Sequence, residues 1–159
     1  MNDVSHAPAK IRPASAHEAA LLTELALRSK AHHGYDEEFI KDCRAELTLT
    51  HAYIFKHRVR VAETQDGAVV GFYTLLENDD LLWLDHLYVE PEMIGRGYGK
   101  LLWRHAVEEA KASGHRSLRI ESDPHAEKFY LAMGAQRIGE RASSVRAGRL
   151  LPLMHCSLD

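Results

Sequence analysis

The sequence of 159 residues lacks several features that are each typical of a particular class of protein. Its only cysteines are Cys43 and Cys156, so it has no framework of disulfide bonds and is predicted to fold in a reducing compartment. No apolar run approaches the roughly 20 residues that a helix needs to span a bilayer, so no membrane partner is expected. The first ten residues contain no apolar stretch typical of a secretory signal, and we therefore expect a cytoplasmic protein.

An excess of positive charge is also missing. Lysine and arginine number 20 against 23 aspartates and glutamates, which gives a formal net charge of -3. Proteins that bind nucleic acid usually carry a basic excess, because neutralising phosphates drives their affinity, so no nucleic-acid partner is expected. The 11 histidines are scattered and show no H-x-x-x-H, H-E-x-x-H or C-x-x-C spacing. We therefore predict no metal site.

Hydrophobic periodicity predicts one α/β (α+β) domain over residues 10–159, preceded by a disordered or frayed terminus over residues 1–9. Ser15 and Glu18 have the spacing of a capping box at the start of the first helix. Strands alternate with helices in the second half of the chain. The predicted strands are 10–13, 58–62, 69–76, 81–89, 116–122, 135–140 and 150–157, and the predicted helices are 14–31, one from Asp36, 50–57, 99–113 and 124–133.

A glycine-rich loop follows the most apolar predicted strand and leads directly into a helix. Gly95, Gly97 and Gly99 alternate with other residues, among them the basic Arg96, and Lys100 follows. A loop of this kind directs free backbone N–H groups and the positive end of a helix dipole at one point, which suits a phosphate or pyrophosphate. The alternative interpretation is a tight connection without a ligand.

Two familiar nucleotide-binding loops are excluded. A Walker A loop requires Ser or Thr after its Gly-Lys pair, but Gly99-Lys100 is followed by Leu101. A dinucleotide fingerprint requires G-x-G-x-x-G, whereas Gly95, Gly97 and Gly99 are separated by one residue each.

Two segments together resemble the GCN5-related N-acetyltransferase (GNAT) superfamily. The stretch from Ile94 to Gly99 is similar to the family pattern Q/R-x-x-G-x-G/A, although Ile94 stands where the family has Gln or Arg. The stretch from Asp123 to Ala135 is similar to D-P-N-A-x-x-F-Y-x-x-x-G-F, with His125 in place of Asn. The resemblance extends over residues 10–159, because the predicted order of strands and helices also agrees with that of the family.

The resemblance implies a fold and a co-substrate. The expected fold is a mixed, mostly antiparallel central sheet of six to seven strands, splayed between the fourth and fifth and flanked by about four helices. The expected co-substrate is acetyl-CoA, with no metal. The residues implied to bind it are Leu87, Tyr88, Val89, Ile94, Gly95, Arg96, Gly97, Tyr98, Gly99, Lys100, His125 and Lys128.

The resemblance further implies that an acetyl group passes directly to an amine within a ternary complex, without a covalent enzyme intermediate. Tyr130 matches the residue that serves the family as general acid, and its phenol would protonate the departing sulfur. The alternative is that Tyr130 is a core aromatic residue. Neighbouring residues on a helix point about 100° apart, so Phe129 is the better candidate for the core and Tyr130 for the site.

Three residues on the two central strands are candidates for the general base: Asp85, His86 and Glu121. In a regular strand Asp85 and Leu87 share one face and His86 takes the other, although a β-bulge would change this alternation. Each of the three could instead be an ordinary strand residue or a salt-bridge partner. Ordered water could also serve an exposed amine.

The acceptor is predicted to be a primary amine of a small molecule or a peptide. Further candidates for its pocket are His33, Tyr35, Tyr73 and Trp83. A non-catalytic sensor of acyl-CoA is one alternative function, and an acetyltransferase acting on aminoacyl-tRNA is another, which the negative charge disfavours. The exposed edges of the final strands leave a homodimer open as an alternative to a monomer.

Overall fold

Seven strands form one mixed sheet in the computed structural model, which describes residues 8–159. The strand order is β1-β2-β3-β4-β5-β7-β6. Short 3₁₀ turns at Ala16–Glu18, Pro91–Met93 and Pro124–Ala126 precede or connect the longer elements. The strands are β1 (Ala9–Pro13), β2 (Arg58–Thr64), β3 (Val69–Asn78), β4 (Leu81–Val89), β5 (Ser117–Glu121), β6 (Gln136–Ala142) and β7 (Leu150–Ser157), and the helices are α1 (Ala19–Ala31), α2 (Glu37–Leu47), α3 (His51–Lys56), α4 (Tyr98–Ala112) and α5 (Glu127–Ala132).

The predicted fold class is confirmed, with five α-helices beside the sheet where about four were expected. The first strand begins at Ala9, one residue before the expected start at Lys10. The remainder of the predicted frayed terminus, residues 1–7, lies outside the described residues. Within residues 8–159, no helix is long and apolar enough to cross a membrane.

The central strands β4 and β5 run parallel and pair at two positions, Leu82 with Leu118 and Trp83 with Arg119. The other pairs of neighbouring strands are antiparallel and pair over five or more positions. The two central strands therefore part after their first few residues, as predicted. The space between their carboxyl ends is left for other groups.

Each face of the sheet carries its own core. Helix α4 packs on one face, where Leu102 and Ala106 contact strand residues such as Leu118. Helices α1 to α3 cover the other face, where Leu22 and Leu25 pack against strand residues. The residues of β3 alternate between these two cores, which is why a long stretch of this strand is buried and apolar.

Gly71 in β3 lies where β4 and a side chain of α4 both come close to its Cα atom. A Cβ atom at this position would lie 2.8 Å from the backbone oxygen of Tyr88 and 2.9 Å from Cδ1 of Leu102. Neither neighbour can withdraw easily, because one is backbone in the adjacent strand and the other is a fully buried side chain. Only glycine fits here without displacing β4 or α4.

We expect Gly71→Ala to destabilise the protein by about 1–3 kcal/mol, because the added methyl group overpacks this contact. The measurement is urea unfolding at equilibrium. Gly139→Ala in β6 is the matched control, since a Cβ there meets no atom within 4 Å. A control change within about 0.5 kcal/mol is expected, and equal losses in both variants would contradict the steric explanation.

Candidate functional site

A β-bulge in β4 brings the predicted base candidates together. Thr74 of β3 pairs with His86, and the next residue, Leu75, pairs with Leu84, which leaves Asp85 as an extra residue. The alternation of a regular strand, which would separate Asp85 from His86, is therefore broken. The Nε2 atom of His86 lies 3.3 Å from Oδ2 of Asp85, and the hydroxyl of Tyr53 donates a hydrogen bond of 2.6 Å to the same oxygen.

A cleft of about 400 Å³ lies where the end of β4, the start of α4 and the start of α5 converge. Its walls are mostly apolar, with backbone of the glycine-rich loop on one side. Eight of the predicted co-substrate residues line it, namely Leu87, Val89, Ile94, Gly95, Gly97, Gly99, Lys100 and His125. Ser29, His33, Met93, Ala126, Phe129 and Tyr130 complete the lining.

Gly97 is the N-cap of α4 and has a φ of 92°, in the left-handed region that favours glycine. Helix α4 extends over 15 residues from this point, so its first free N–H groups and its dipole face the loop. No acidic residue lies in its first turn. The cleft thus combines apolar walls with an anion-binding end.

Four predicted co-substrate residues do not line this cleft. Arg96 and Lys128 are exposed beside it. Tyr98, the first residue of α4, is 1% exposed and packs in the core between this helix and the sheet. Tyr88 packs with its ring against Phe72 and lines the neighbouring space between β4 and β5 instead.

A smaller cavity of about 90 Å³ fills the gap between β4 and β5 and adjoins the cleft. Leu87 and Tyr130 line both spaces, and Asp85 and Glu121 line the gap. Tyr130 is 5% exposed, and burial, with the nearby Asp123 carboxylate, raises the pKa of its phenol. Tyr130 therefore keeps its proton at neutral pH.

The burial of the two aromatic residues of α5 is the reverse of the expected order. Phe129, expected to be the core residue, is half-buried and lines the cleft, with its ring 3.4 Å from a Cβ placed on Gly99. Tyr130 is the more buried of the two, and its ring packs against that of Trp103. Both residues line the cleft.

A third cavity, of about 300 Å³, continues from the gap on the side away from the cleft. Its carboxylates are Glu46, Asp85 and Glu121, and the last two also line the gap. Trp83 forms a wall, with the guanidinium of Arg141 5.3 Å from its ring centre and 3.7 Å from Glu121. Three carboxylates against one guanidinium make this chamber, hereafter the acidic chamber, net negative.

Asp123 joins four parts of the chain at the end of β5. Its carboxylate lies 3.1 Å from Nζ of Lys30, 3.0 Å from the hydroxyl of Tyr35 and 3.5 Å from Nη2 of Arg149, and it accepts a bond of 2.8 Å from the backbone N–H of His125. Burial alone would raise the pKa of Asp123, but the Lys30 cation and these hydrogen bonds outweigh burial and lower the pKa to about 2.

The candidates for the acceptor pocket are dispersed. The ring of His33 stacks on that of His125 at 5.0 Å and lines both the cleft and the gap. Tyr35 donates to Asp123, and Trp83 lines the acidic chamber. Tyr73 lies apart from them, because it is fully buried in the core under α4 and its hydroxyl bonds to Nδ1 of His105 at 2.7 Å.

His86 is 8% exposed, and burial lowers the pKa of its imidazole. It is therefore neutral at physiological pH and lines neither the gap nor the acidic chamber.

Sequence reasoning missed Tyr53, Glu46 and Asp123 as members of the site. Only Asp123 carried a local signal, since an aspartate before Pro124 is typical of a helix N-cap. Residues 8–159 contain no group of three or more His, Cys, Asp or Glu residues that could hold a metal ion.

The model of the acetyltransferase (GNAT) family matches residues 21–135. This chain belongs to that family. It is therefore an acetyltransferase that uses acetyl-CoA as its acetyl donor. The comparison with curated proteins finds no match for it.

Solved structures of other acetyltransferases share the fold. A GCN5-related N-acetyltransferase from Rhodopseudomonas palustris is 24% identical, with 99% of each chain covered and a TM-score of 0.80. The PaiA N-acetyltransferase from Thermoplasma acidophilum, in complex with coenzyme A, is 21% identical over 94% of this chain and 99% of that one, with a TM-score of 0.75. YncA, a putative acetyltransferase from Salmonella typhimurium with its cofactor acetyl-CoA, is 22% identical over 96% and 95%, with a TM-score of 0.69.

The cleft of this acetyltransferase fits acetyl-CoA by its own chemistry. The N-terminus of α4 and its glycine-rich loop offer backbone donors suited to the pyrophosphate. The apolar walls formed by Leu87, Val89 and Phe129 suit the pantetheine arm. Lys100 adds a positive charge at the same end.

The depressed pKa of Asp123 predicts how stability depends on pH. An aspartate titrates near pH 3.9 in an unfolded chain, so a folded pKa of about 2 contributes about 2–3 kcal/mol above pH 4, which is lost as the pH falls towards 2. We expect Asp123→Asn to lower the unfolding free energy most at neutral pH. The difference from wild type should narrow below pH 4.

Urea unfolding at several pH values measures this difference. Asp79→Asn is the control, since Asp79 is an exposed turn residue with a φ of 53° that asparagine tolerates. A gap between wild type and Asp123→Asn that stays constant from pH 7 to pH 2.5 would refute the prediction.

Proposed function

We propose that this acetyltransferase transfers the acetyl group directly, within a ternary complex, to a primary amine of a small molecule or a peptide. One observation carries the proposal. The gap between β4 and β5 shares lining residues with the cleft on one side and with the acidic chamber on the other. A donor entering from one side and an amine entering from the other would meet at the gap, beside Tyr130 and Asp85.

Acetyl-CoA supplies the acetyl group as a thioester, whose sulfur departs as the amide forms. The protein's part is to position this group and to move two protons. In the proposal the glycine-rich loop from Gly95 to Gly99 holds the phosphates by backbone N–H groups. The separated end of β4, near Leu87 and Val89, offers backbone groups to the pantetheine amides.

Asp85 and Tyr130 both line the gap and are assigned the two proton steps. Asp85 is the base of the proposal, because its side chain lines both the gap and the acidic chamber and takes the proton that the amine must lose. Tyr130 keeps its phenolic proton through burial and gives it to the departing sulfur. Glu121 lines the same two spaces and is the alternative base, acting through water.

The acidic chamber supports an acceptor that carries positive charge beyond the reacting amine. Glu46 and Glu121 attract a cation, and Trp83, whose ring is covered by the guanidinium of Arg141, forms one wall of the chamber. An amine must be neutral to react, so a second, distant cation on the acceptor would remain to hold it in the chamber.

We also propose that this reaction takes place in the cytoplasm.

The first prediction from this proposal concerns Tyr130. We expect acetyl-CoA to release CoA only when an amine is present, in a panel of amines, amino acids, polyamines and peptides. Tyr130→Phe should lower the rate at least about tenfold, equivalent to about 1.4 kcal/mol of barrier, because the proton donor is lost while the ring still fills its place. The calorimetric Kd for acetyl-CoA should change less than about threefold.

Two outcomes would contradict this prediction. Tight binding of acetyl-CoA without turnover on any amine would favour a sensor, and full activity of Tyr130→Phe would remove Tyr130 from the reaction. Neither outcome depends on a folding defect, because the acetyl-CoA affinity reports whether the cleft is intact.

The second prediction concerns Glu46, which lines the acidic chamber but not the gap. We expect Glu46→Gln to raise the KM for diamines roughly threefold, the effect of losing one partly exposed charge, and to leave the KM for monoamines with neutral tails unchanged. Steady-state kinetics with both substrate types measures the split. Glu92→Gln, an exposed change outside the chamber, is the control; an equal rise for both amine types would refute a role for charge.

A further inference from the structure

We infer that Tyr53, supported by Thr74, is a positioning residue that holds the Asp85 carboxylate aimed at the acceptor amine. The inference rests on the proposed function, because it assigns Asp85 to the amine. Tyr53 lies in α3, Thr74 in β3 and Asp85 in β4, so three elements meet at this point. Tyr53 lines neither the gap nor the acidic chamber and can act only through Asp85.

The hydrogen bonds among the three residues have a defined direction. An ionised carboxylate only accepts, so the Tyr53 hydroxyl donates its single proton to Oδ2 of Asp85, at 2.6 Å. The Tyr53 oxygen is then free to accept from the hydroxyl of Thr74, 2.9 Å away. Thr74 is fully buried, which fixes this relay of two donors against the carboxylate.

Tyr53 remains a donor throughout the physiological range. Burial and the neighbouring Asp85 carboxylate both raise the pKa of its phenol. Its ring is held on one side by His57, at a centroid distance of 4.6 Å. The Tyr53 phenol therefore stays protonated and serves as a fixed donor to Asp85.

His86 lies beside the same oxygen. Its imidazole is neutral because it is buried, and its Nε2 lies 3.3 Å from Oδ2 of Asp85. The other ring nitrogen, Nδ1, has no hydrogen-bond partner among the described residues. Because Tyr53 engages Oδ2, the second carboxylate oxygen of Asp85 is the one assigned to the amine.

Charged and titratable groups face Asp85 from several neighbouring elements. Two carboxylates share its chamber, Glu46 from α2 and Glu121 from β5, together with the guanidinium of Arg141 from β6. Lys30 from α1 lines the gap with it. His57, which follows α3, and His86 also interact with it electrostatically. Tyr53 is the residue among them that donates a hydrogen bond to the carboxylate.

The test is Tyr53→Phe, which removes the donor and keeps the ring. We expect the KM for the amine to rise about tenfold, the effect of losing a hydrogen bond to a charged group, with the KM for acetyl-CoA within twofold of wild type. The acidic limb of the kcat/KM profile should move to higher pH by about half a unit or more. Thr74→Val, which removes the second donor of the relay, should shift both quantities in the same direction by less.

Carbon NMR of the Asp85 carboxyl, assigned with Asp85→Asn, gives a readout that needs no turnover. Its titration should move to higher pH in Tyr53→Phe. Tyr73→Phe is the matched control, because it deletes a buried tyrosine hydroxyl on the opposite face of the same sheet. Its Asp85 titration should match that of wild type.

The outcomes separate this inference from the proposed function. If wild type acetylates an amine but Tyr53→Phe and Thr74→Val leave the amine KM and the Asp85 titration unchanged, the inference is wrong and the proposed function stands. If wild type acetylates no amine, the proposed function fails, and an unshifted Asp85 titration would then refute the relay as well. If Tyr53→Phe does not fold, as judged by circular dichroism, the amine KM and the Asp85 titration of Thr74→Val test the inference instead.

Discussion

Backbone N–H and C=O groups inside a sheet must find partners, and β4 and β5 supply each other at only two positions, Leu82 with Leu118 and Trp83 with Arg119. Beyond these pairs the strands part, and the cleft, the gap and the acidic chamber all open from the separation. The separation of the two strands is stable because each is paired along its other edge, β4 with β3 and β5 with β7. The sheet thus stays continuous while its centre presents backbone to a ligand.

The ionic groups near the gap form two separate sets. Asp123 engages the cations Lys30 and Arg149, and its pKa of about 2 keeps it ionised at neutral pH. In the acidic chamber, Arg141 faces three carboxylates, so the chamber is net negative. Asp123 therefore ties α1 and the β6–β7 loop to the end of β5, apart from the charges of the chamber.

Two tyrosines with raised pKa values serve the proposed reaction in different ways. Burial keeps both Tyr53 and Tyr130 protonated. Tyr53 donates its proton in a hydrogen bond to the carboxylate of Asp85, whereas Tyr130 lines the cleft and the gap, where a proton can be given to the departing sulfur. A phenol is thus a fixed donor at Tyr53, where it faces a carboxylate, and the proposed general acid at Tyr130, where it faces the cleft and the gap.

Local sequence determined the strand–loop–helix at Gly95 to Gly99 and the helix that begins after Asp123, because both need only short-range backbone geometry. These two features in turn indicated the family and the co-substrate. Tertiary structure decided the rest of the site. The bulge at Asp85 follows from the register with β3, and the contacts of Asp85 with Tyr53 and of Asp123 with Tyr35 join residues 32 and 88 positions apart. Tyr35 and Tyr73 looked alike in the sequence, yet only the packing of α4 on β3 buries Tyr73, because burial depends on which face of the sheet a helix covers.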